Sequence, residues 1–336
     1  MTEEQHNAFE ENEISLKSQG GTEITKRSIA ALVDPELASN FQIIPARVRE
    51  LQDDKIRVYW LHDLAEDPEA NHLQDARSRD RFHKFVFSSN WQYQQYVDKL
   101  GFPQTADSVV LETPIEPFPR VEKSRDEVRL VYFSTPHRGL ELLVPVFEEL
   151  AKHHDNIHLD VFSSYKLYGW EDADEKYEAL FDKIRNHPNM TYHGFQPNDV
   201  LREAVNKAHI LAYPSIWAET SCRVLMESMS AGLLCVHPNF AALSDTSGGL
   251  TSMYPYDQDP NKHANIFYAH LNEAINIVNT DNAQNYLGFV KSYADARFNL
   301  QKVSSQWNAL LQTLLREYPT AESRALKMKQ MFRYKV

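Results

Sequence analysis

Residues 213–236 read YPSIWAETSCRVLMESMSAGLLCV, and the period of their apolar positions changes twice. The run His209 to Tyr213 is a short strand that stops at Pro214 and Ser215. A polar loop carrying Glu219 follows, and from Thr220 or Ser221 the apolar residues recur at helical spacing as far as Ala231. Leu233 to Val236 is again a buried strand. A strand, a helix and a second strand this close together specify a parallel βαβ unit. Glu219 and Glu227 then flank one helix N-terminus. The N–H groups of Thr220, Ser221 and Cys222 open that end, and with the helix dipole they make an anion site suited to phosphate. Carboxylates offer only acceptors, so Glu219 suits sugar hydroxyls and Glu227 the paired hydroxyls of a ribose. The spacing by itself fits a capping glutamate and a surface glutamate on an ordinary helix equally well.

Moving upstream, the same alternation begins at Val128–Phe133 (VRLVYF), followed by a tight turn at His137, Arg138 and Gly139 and an amphipathic helix Leu140–His153. Strands at Ile157–Phe162 and Met190–His193 alternate with helices at Glu175–Arg185 and Asp199–Ala208, which makes a doubly wound unit. Beyond Asp257 the chain turns helical, with apolar-periodic runs at His263–Val278, Asn285–Arg297 and Gln301–Glu317. The first half also alternates: strands are expected at Phe41–Ile44, Ile56–Leu61, Lys84–Ser88 and Ser108–Leu111, with helices at Glu23–Val33 and Trp91–Leu100. Between the halves lies TPIEPFPRVEKSR, residues 113–125, with three prolines and no period. The expected division is a reduced N-terminal, acceptor-side domain at 1–118, a C-terminal, nucleotide-sugar-binding domain at 119–315, and a helical tail at 316–336 that packs back toward the N-terminal domain. Ligands of such sheets bind beyond the carboxyl ends of the strands.

Composition narrows the function. A chain of 336 residues with 42% apolar and 24% charged residues builds an ordinary globular core. The net charge of −12 disfavours a broad phosphate-tracking surface. Arg77, Arg79, Arg81 and Lys84 form a local basic cluster, as do Arg324, Lys327, Lys329, Arg333 and Lys335; both read first as solvated helix faces. Two cysteines, Cys222 and Cys235, are too few for a disulfide framework or a zinc site and are expected as buried thiols. No window approaches a membrane-spanning apolar run, and the acidic start MTEE lacks the layout of a secretion signal, so a cytoplasmic location is expected.

Residues 213–236 also resemble the E-x7-E signature of retaining glycosyltransferases of family 4. The surrounding order matches that family: the RG turn at Arg138 and Gly139, HGF at His193–Phe195, YPS at the strand end, Glu219 and Glu227 eight apart, then MSAG. In the first half GGTE at Gly20–Glu23, HD at His62 and Asp63, and FVFSSNWQ at Phe85–Gln92 look like its other landmarks. The resemblance covers roughly residues 18–315. It implies the α/β GT-B architecture, two Rossmann-like doubly wound domains facing across a cleft, with a helical C-terminus.

The implied activity is transfer of a hexose, with retention, from a nucleoside-diphosphate sugar of the UDP class to an acceptor hydroxyl, most simply on a saccharide or glycan precursor. Glu219, His62 and Arg138 take the catalytic positions. Glu227, Thr220, Ser221, Cys222, Gly20, Gly21 and Lys166 take the donor-binding ones. Arg138 matches the cation set against the donor diphosphate, with a guanidinium fork suited to phosphate oxygens; Lys166 would add a second. Gly20 and Gly21 would let backbone N–H groups approach the donor closely, and His62 would lie beside the transferred sugar. Where the family usually has glycines after the first Glu, this chain has Thr220, Ser221 and Cys222. Asp172 and Asp174 spell a metal-binding D-x-D, but acids opening a helix are expected from the dipole alone, and neither a metal nor a cofactor is expected. Alternatives are glycosylation of a modified DNA base, disfavoured by the acidic balance, sugar epimerisation, and a non-catalytic nucleotide-sugar binder. Oligomeric state is left open.

Overall fold

The computed structural model describes residues 18–48 and 50–329. They form two compact units, one comprising the chain as far as Pro114 together with the part from Leu300 on, the other Ile115–Asn299.

In the first unit four parallel strands, β1 (Phe41–Pro45), β2 (Ile56–Leu61), β3 (Lys84–Phe87) and β4 (Ser108–Val110), lie side by side in sequence order. The register sets Ile43 opposite Val58 and Tyr59 opposite Phe85. Successive side chains of a strand point to opposite faces. Val58, Trp60 and Val86 accordingly enter one core with Ile29 and Leu37, while Tyr59, Leu61, Phe85 and Phe87 enter another with Phe82 and Tyr96. Burial on both faces is why these strands read as nearly unbroken apolar runs.

The first of those cores is closed by the helix Leu300–Glu317, whose Val303, Trp307, Leu311 and Leu314 lie on one stripe. Trp307 is fully buried and meets Trp60 edge-on at 4.9 Å. Asn308 holds the helix to the loop at 32–34, donating to the Leu32 carbonyl and accepting from the Asp34 N–H. The sequence reading counted residues up to 315 with the second domain; residues 300–315 fall instead with the first unit, because their apolar stripe completes that sheet's core. Arg324, in the helix Ala321–Lys329, was expected on a solvated face. It is buried, donating to the Asp54 carbonyl at 3.0 Å and to Asn40 Oδ1 at 2.9 Å. Arg333 and Lys335 lie outside the described residues.

The second unit is a six-stranded parallel sheet of β5 (Val128–Phe133), β6 (Ile157–Phe162), β7 (Met190–Tyr192), β8 (Ile210–Ala212), β9 (Leu234–Pro238) and β10 (Ser252–Tyr254), in the order β10-β9-β8-β5-β6-β7. The direction of winding reverses between β8 and β5, the kind of point at which open α/β sheets bind ligands. The three-residue β10, absent from the sequence reading, pairs with Val236–Pro238. Residues 115–123, expected as a linker, are pinned to this unit. Ile115 N–H donates to the Phe298 carbonyl, Phe118 N–H to Ser230 Oγ, and Lys123 Nζ to the carbonyls of Ala231 and Gly232. Ile115 and Phe118 are buried as a result, so the second unit begins at Ile115 rather than at residue 119. Cys222 and Cys235 are free, buried thiols. No helix among the described residues is long and apolar enough to cross a membrane.

Candidate functional site

The carboxyl ends of β5, β6 and β8 carry the polar groups of the second unit. After β5 the chain makes a single 3₁₀ turn at Pro136–Arg138, and Gly139 takes a φ of 110° before opening the helix Leu140–Leu150. A β-carbon at Gly139 would sit 2.1 Å from the Pro214 carbonyl oxygen, so only glycine lets this turn pass against the end of β8. That contact fixes where Arg138 points. Its Nη1 lies 2.5 Å from Glu219 Oε1, and the Tyr213 hydroxyl donates to the same oxygen at 2.8 Å. Burial opposes the charge of Arg138, but the neighbouring Glu219 outweighs it and holds the guanidinium charged. Burial raises the Tyr213 phenol and the Cys222 thiol well above their ordinary range, so both stay neutral.

The helix expected from Thr220 or Ser221 runs Arg223–Ser230, with Cys222 at its cap in extended backbone. Glu219 is the reason for the later start. Its carboxylate is tied to Arg138 and Tyr213 and its carbonyl accepts from Ala242 N–H at 3.1 Å, which keeps the loop out of helical geometry. The N–H groups that open the helix are therefore those of Arg223, Val224 and Leu225, one turn later in the sequence than Thr220, Ser221 and Cys222. Ser221 Oγ is buried with no hydrogen-bond partner among the described residues.

Glu227, one turn further on, is buried and held by arginines. Arg223 reaches its Oε1 with Nε at 2.9 Å and Nη2 at 2.9 Å, and Arg202 Nη1 stands 3.9 Å from the same atom. Arg202 is itself seated over the Phe118 ring at 3.8 Å. The two carboxylates thus share a pattern. Each spends Oε1 on protein cations and donors, and Oε2 of each has no hydrogen-bond partner among the described residues.

Lys166 lies exposed in a short 3₁₀ turn, Tyr165–Tyr168, after β6. The turn is built by Asp174, whose carboxylate accepts from Tyr165 N–H at 2.7 Å and from Ser164 Oγ. Half of the D-x-D pair is thereby a backbone cap. His193, of HGF, stacks on Phe162 at 4.2 Å and bonds Asp160 at 2.8 Å, which anchors the loop after β7.

The remaining candidates belong to the first unit. Gly20 caps the helix Gly21–Ala30 with φ of −63°, ordinary extended backbone that any residue adopts. Its freedom from a side chain is thus not demanded by the backbone. His62 follows the last residue of β2, its ring 4.6 Å from that of Trp60, and burial pushes its pKa down to about 3. Asp63 next to it is raised to about 6, by burial and then by Asp67, while its carbonyl accepts from Gln92 Nε2 at 2.9 Å.

Of the contacts that shape the second-unit site, the sequence reading did not assign Tyr213, Arg202 or Arg223. The i, i+4 spacing of Arg223 and Glu227 was a usable signal; Arg202, a whole βα unit upstream, had none.

Comparison with known proteins bears on the same residues. The model of the glycosyl transferases of group 1 matches residues 115–246, which include Arg138, Glu219 and Glu227. Comparison with curated proteins gives no match. Among solved structures, a glycosyltransferase from Rickettsia africae ESF-5 superposes with a TM-score of 0.66 at 14% identity, covering 91% of this chain and 84% of its own. HepE of Anabaena, in complex with UDP and glucose, gives 0.56 at 14% identity over 87% of this chain and 81% of its own. The pneumococcal O-GlcNAc transferase GtfA, in complex with UDP and GlcNAc, gives 0.65 at 11% identity over 87% and 60%. The fold is GT-B. Both parallel sheets and the helical C-terminal segment belong to it, as the sequence resemblance implied.

Proposed function

We propose that this chain is a glycosyltransferase that moves a hexose from a nucleoside-diphosphate sugar, of the UDP class, to a saccharide hydroxyl with retention of configuration. The observation that carries the reading is the shared arrangement of Glu219 and Glu227 at the ends of one loop-to-helix junction. Each is anchored on arginine through Oε1 and keeps a second oxygen for hydroxyl groups. In this reading Glu227 takes the ribose diol, and Arg138 with the N–H groups opening the helix at Arg223 takes the diphosphate. Ser221 Oγ adds a donor at the same junction, and Thr220 and Cys222 shape it.

The barrier in such a transfer is charge separation as the diphosphate leaves an oxocarbenium-like sugar. Donors already fixed by folding stabilise that charge without reorganising. Arg138 is fixed by Glu219 and by the Gly139 turn, so Glu219 serves both as a sugar-facing acceptor and as the strut of the phosphate cation. The acceptor hydroxyl attacks from the face the leaving group vacates, and its proton passes to the diphosphate; no enzyme nucleophile is assigned. Lys166 is the second phosphate cation of this reading. Gly20, Gly21 and His62 are its donor-sugar contacts from the first unit, with His62 uncharged at neutral pH. The group 1 match over this segment and the UDP complexes of HepE and GtfA support a nucleotide-sugar donor.

Incubation of the purified chain with a panel of nucleotide sugars, with released nucleoside diphosphate as the readout, tests the proposal. Release from one UDP-sugar above the rest, rising with an acceptor, is expected. Binding without release would indicate a non-catalytic binder, and interconversion of the sugar without transfer an epimerase.

A further inference from the structure

Strands β8, β5 and β6 are neighbours in the sheet, so the loops at their carboxyl ends stand side by side. Their aromatic rings form one continuous strip. Trp217, after β8, sets its ring edge-on to His137, after β5, at 4.7 Å. His137 stacks on Tyr165, after β6, at 5.4 Å and 12°. Tyr165 lies 6.3 Å and 23° from Trp170, which meets Tyr168 at 5.2 Å.

The centre of the strip is buried and its ends are not. Tyr165 is 8% exposed, whereas Trp217 and Trp170 are 46% and 48% exposed, with Ile216 at 43% beside Trp217. Half-exposed tryptophans at both ends of a packed strip are the kind of apolar exposure that marks a binding surface. His137 contributes as a neutral ring: burial, then Arg138 and Lys176, press its pKa down to about 4, and its Nδ1 is hydrogen-bonded to the Tyr165 hydroxyl at 2.6 Å. Two further polar atoms lie at the same strand ends. Thr135 Oγ1 and Ser163 Oγ are buried and have no hydrogen-bond partner among the described residues. The strip also joins the site already described, since His137 adjoins Arg138 and Trp217 is two residues from Glu219.

We infer that this strip is the acceptor platform and that the acceptor is an oligosaccharide of two or more pyranose units, stacked by their C–H faces on Trp217 and Trp170. The inference rests on the glycosyltransferase reading and deepens it by naming the acceptor class; it puts acceptor contacts on the second unit, where the expectation from sequence had them on the N-terminal domain. Flat aromatic faces match the apolar faces of pyranoses, while the sugar hydroxyls remain for Thr135 and Ser163. A nucleic acid would also stack on aromatic rings, but its backbone needs a cationic groove. Here the cations of the strip's own turns are Lys166, Lys176 and Arg138, the last of them paired with Glu219, in a chain of net charge −12.

The test is titration of the full chain, without nucleotide, by maltotriose, cellotriose and chitotriose, by the matching monosaccharides, and by single-stranded oligo(dT), followed by tryptophan fluorescence and calorimetry. One trisaccharide is expected to bind about tenfold or more tighter than its monosaccharide. Trp170→Ala and Trp217→Ala should each weaken it about tenfold, and Trp170→Phe should restore most of it. Trisaccharide affinity unchanged in both alanine variants, no trisaccharide binding, or binding of oligo(dT) alone would overturn the inference. UDP titrated into the same wild-type sample separates the two readings: UDP binding without saccharide binding sinks the platform alone, and absence of UDP binding sinks the donor site.

Discussion

Arg138 and Glu219 are 81 residues apart in sequence and 2.5 Å apart in space, Nη1 to Oε1, with the Tyr213 hydroxyl on the same carboxylate oxygen. A pair this buried is costly to break from one side, because the survivor is left charged and desolvated. Arg138→Ala or Glu219→Ala should therefore cost about 3 kcal/mol of stability and lower transfer at least ~10²-fold. The double variant should be less destabilised than the sum of the two. Urea unfolding and donor-release rates on the three proteins check this, and strict additivity would mean that the two groups act separately.

Gly139→Ala should resemble loss of Arg138 in activity although it removes no functional group. The new methyl would meet the Pro214 carbonyl at 2.1 Å in a backbone with φ of 110°, so the turn must shift and carry Arg138 with it. An expected cost of about 1–3 kcal/mol accompanies strain of this kind. Wild-type release kinetics in this variant would show that the turn has room to spare.

Much of the fold was legible because strands buried on both faces announce themselves. Val58 to Leu61 and Val128 to Phe133 have no other plausible use. The start of the helix after Glu219 was misread because Thr220 and Ser221 look like ordinary caps. What delays it is the hold of Arg138, Tyr213 and Ala242 on Glu219, which are tertiary contacts invisible to local pattern. Helical periodicity likewise showed that Val303, Trp307, Leu311 and Leu314 share a stripe but not which sheet they cover. The family resemblance brought Arg138 and Glu219 forward singly; nothing in the sequence said that they touch.

Protonation of buried histidine should govern acid stability. His237 is fully buried, its Nε2 2.7 Å from Thr251 Oγ1, and burial lowers its pKa to about 4. Below pH ~6.5 the unfolded chain binds a proton that the folded chain refuses until about pH 4. This residue's contribution is therefore full above pH ~6.5 and fades as the pH falls toward 4. Asp63, raised to about 6, works in the opposite direction, so the comparison needed is wild type against His237→Gln. Wild type should lose about 2 kcal/mol more than the variant between pH 7 and 5. Equal losses in urea unfolding would contradict the assignment.

Trp307→Ala should be among the most damaging single changes, at about 3–5 kcal/mol, because the ring closes the first-unit core against Trp60. Thermal or urea unfolding would register it. A cost below about 1 kcal/mol would mean that the helix Leu300–Glu317 adds little to that core.

The direct trial of the whole account is a crystal of this chain soaked with UDP and refined for the nucleotide. The expected result is a ribose diol on Oε2 of Glu227, with the diphosphate between Arg138 and the N–H groups of Arg223 and Val224. Clear density for UDP at any other place, with both glutamates unchanged in their contacts, would contradict it.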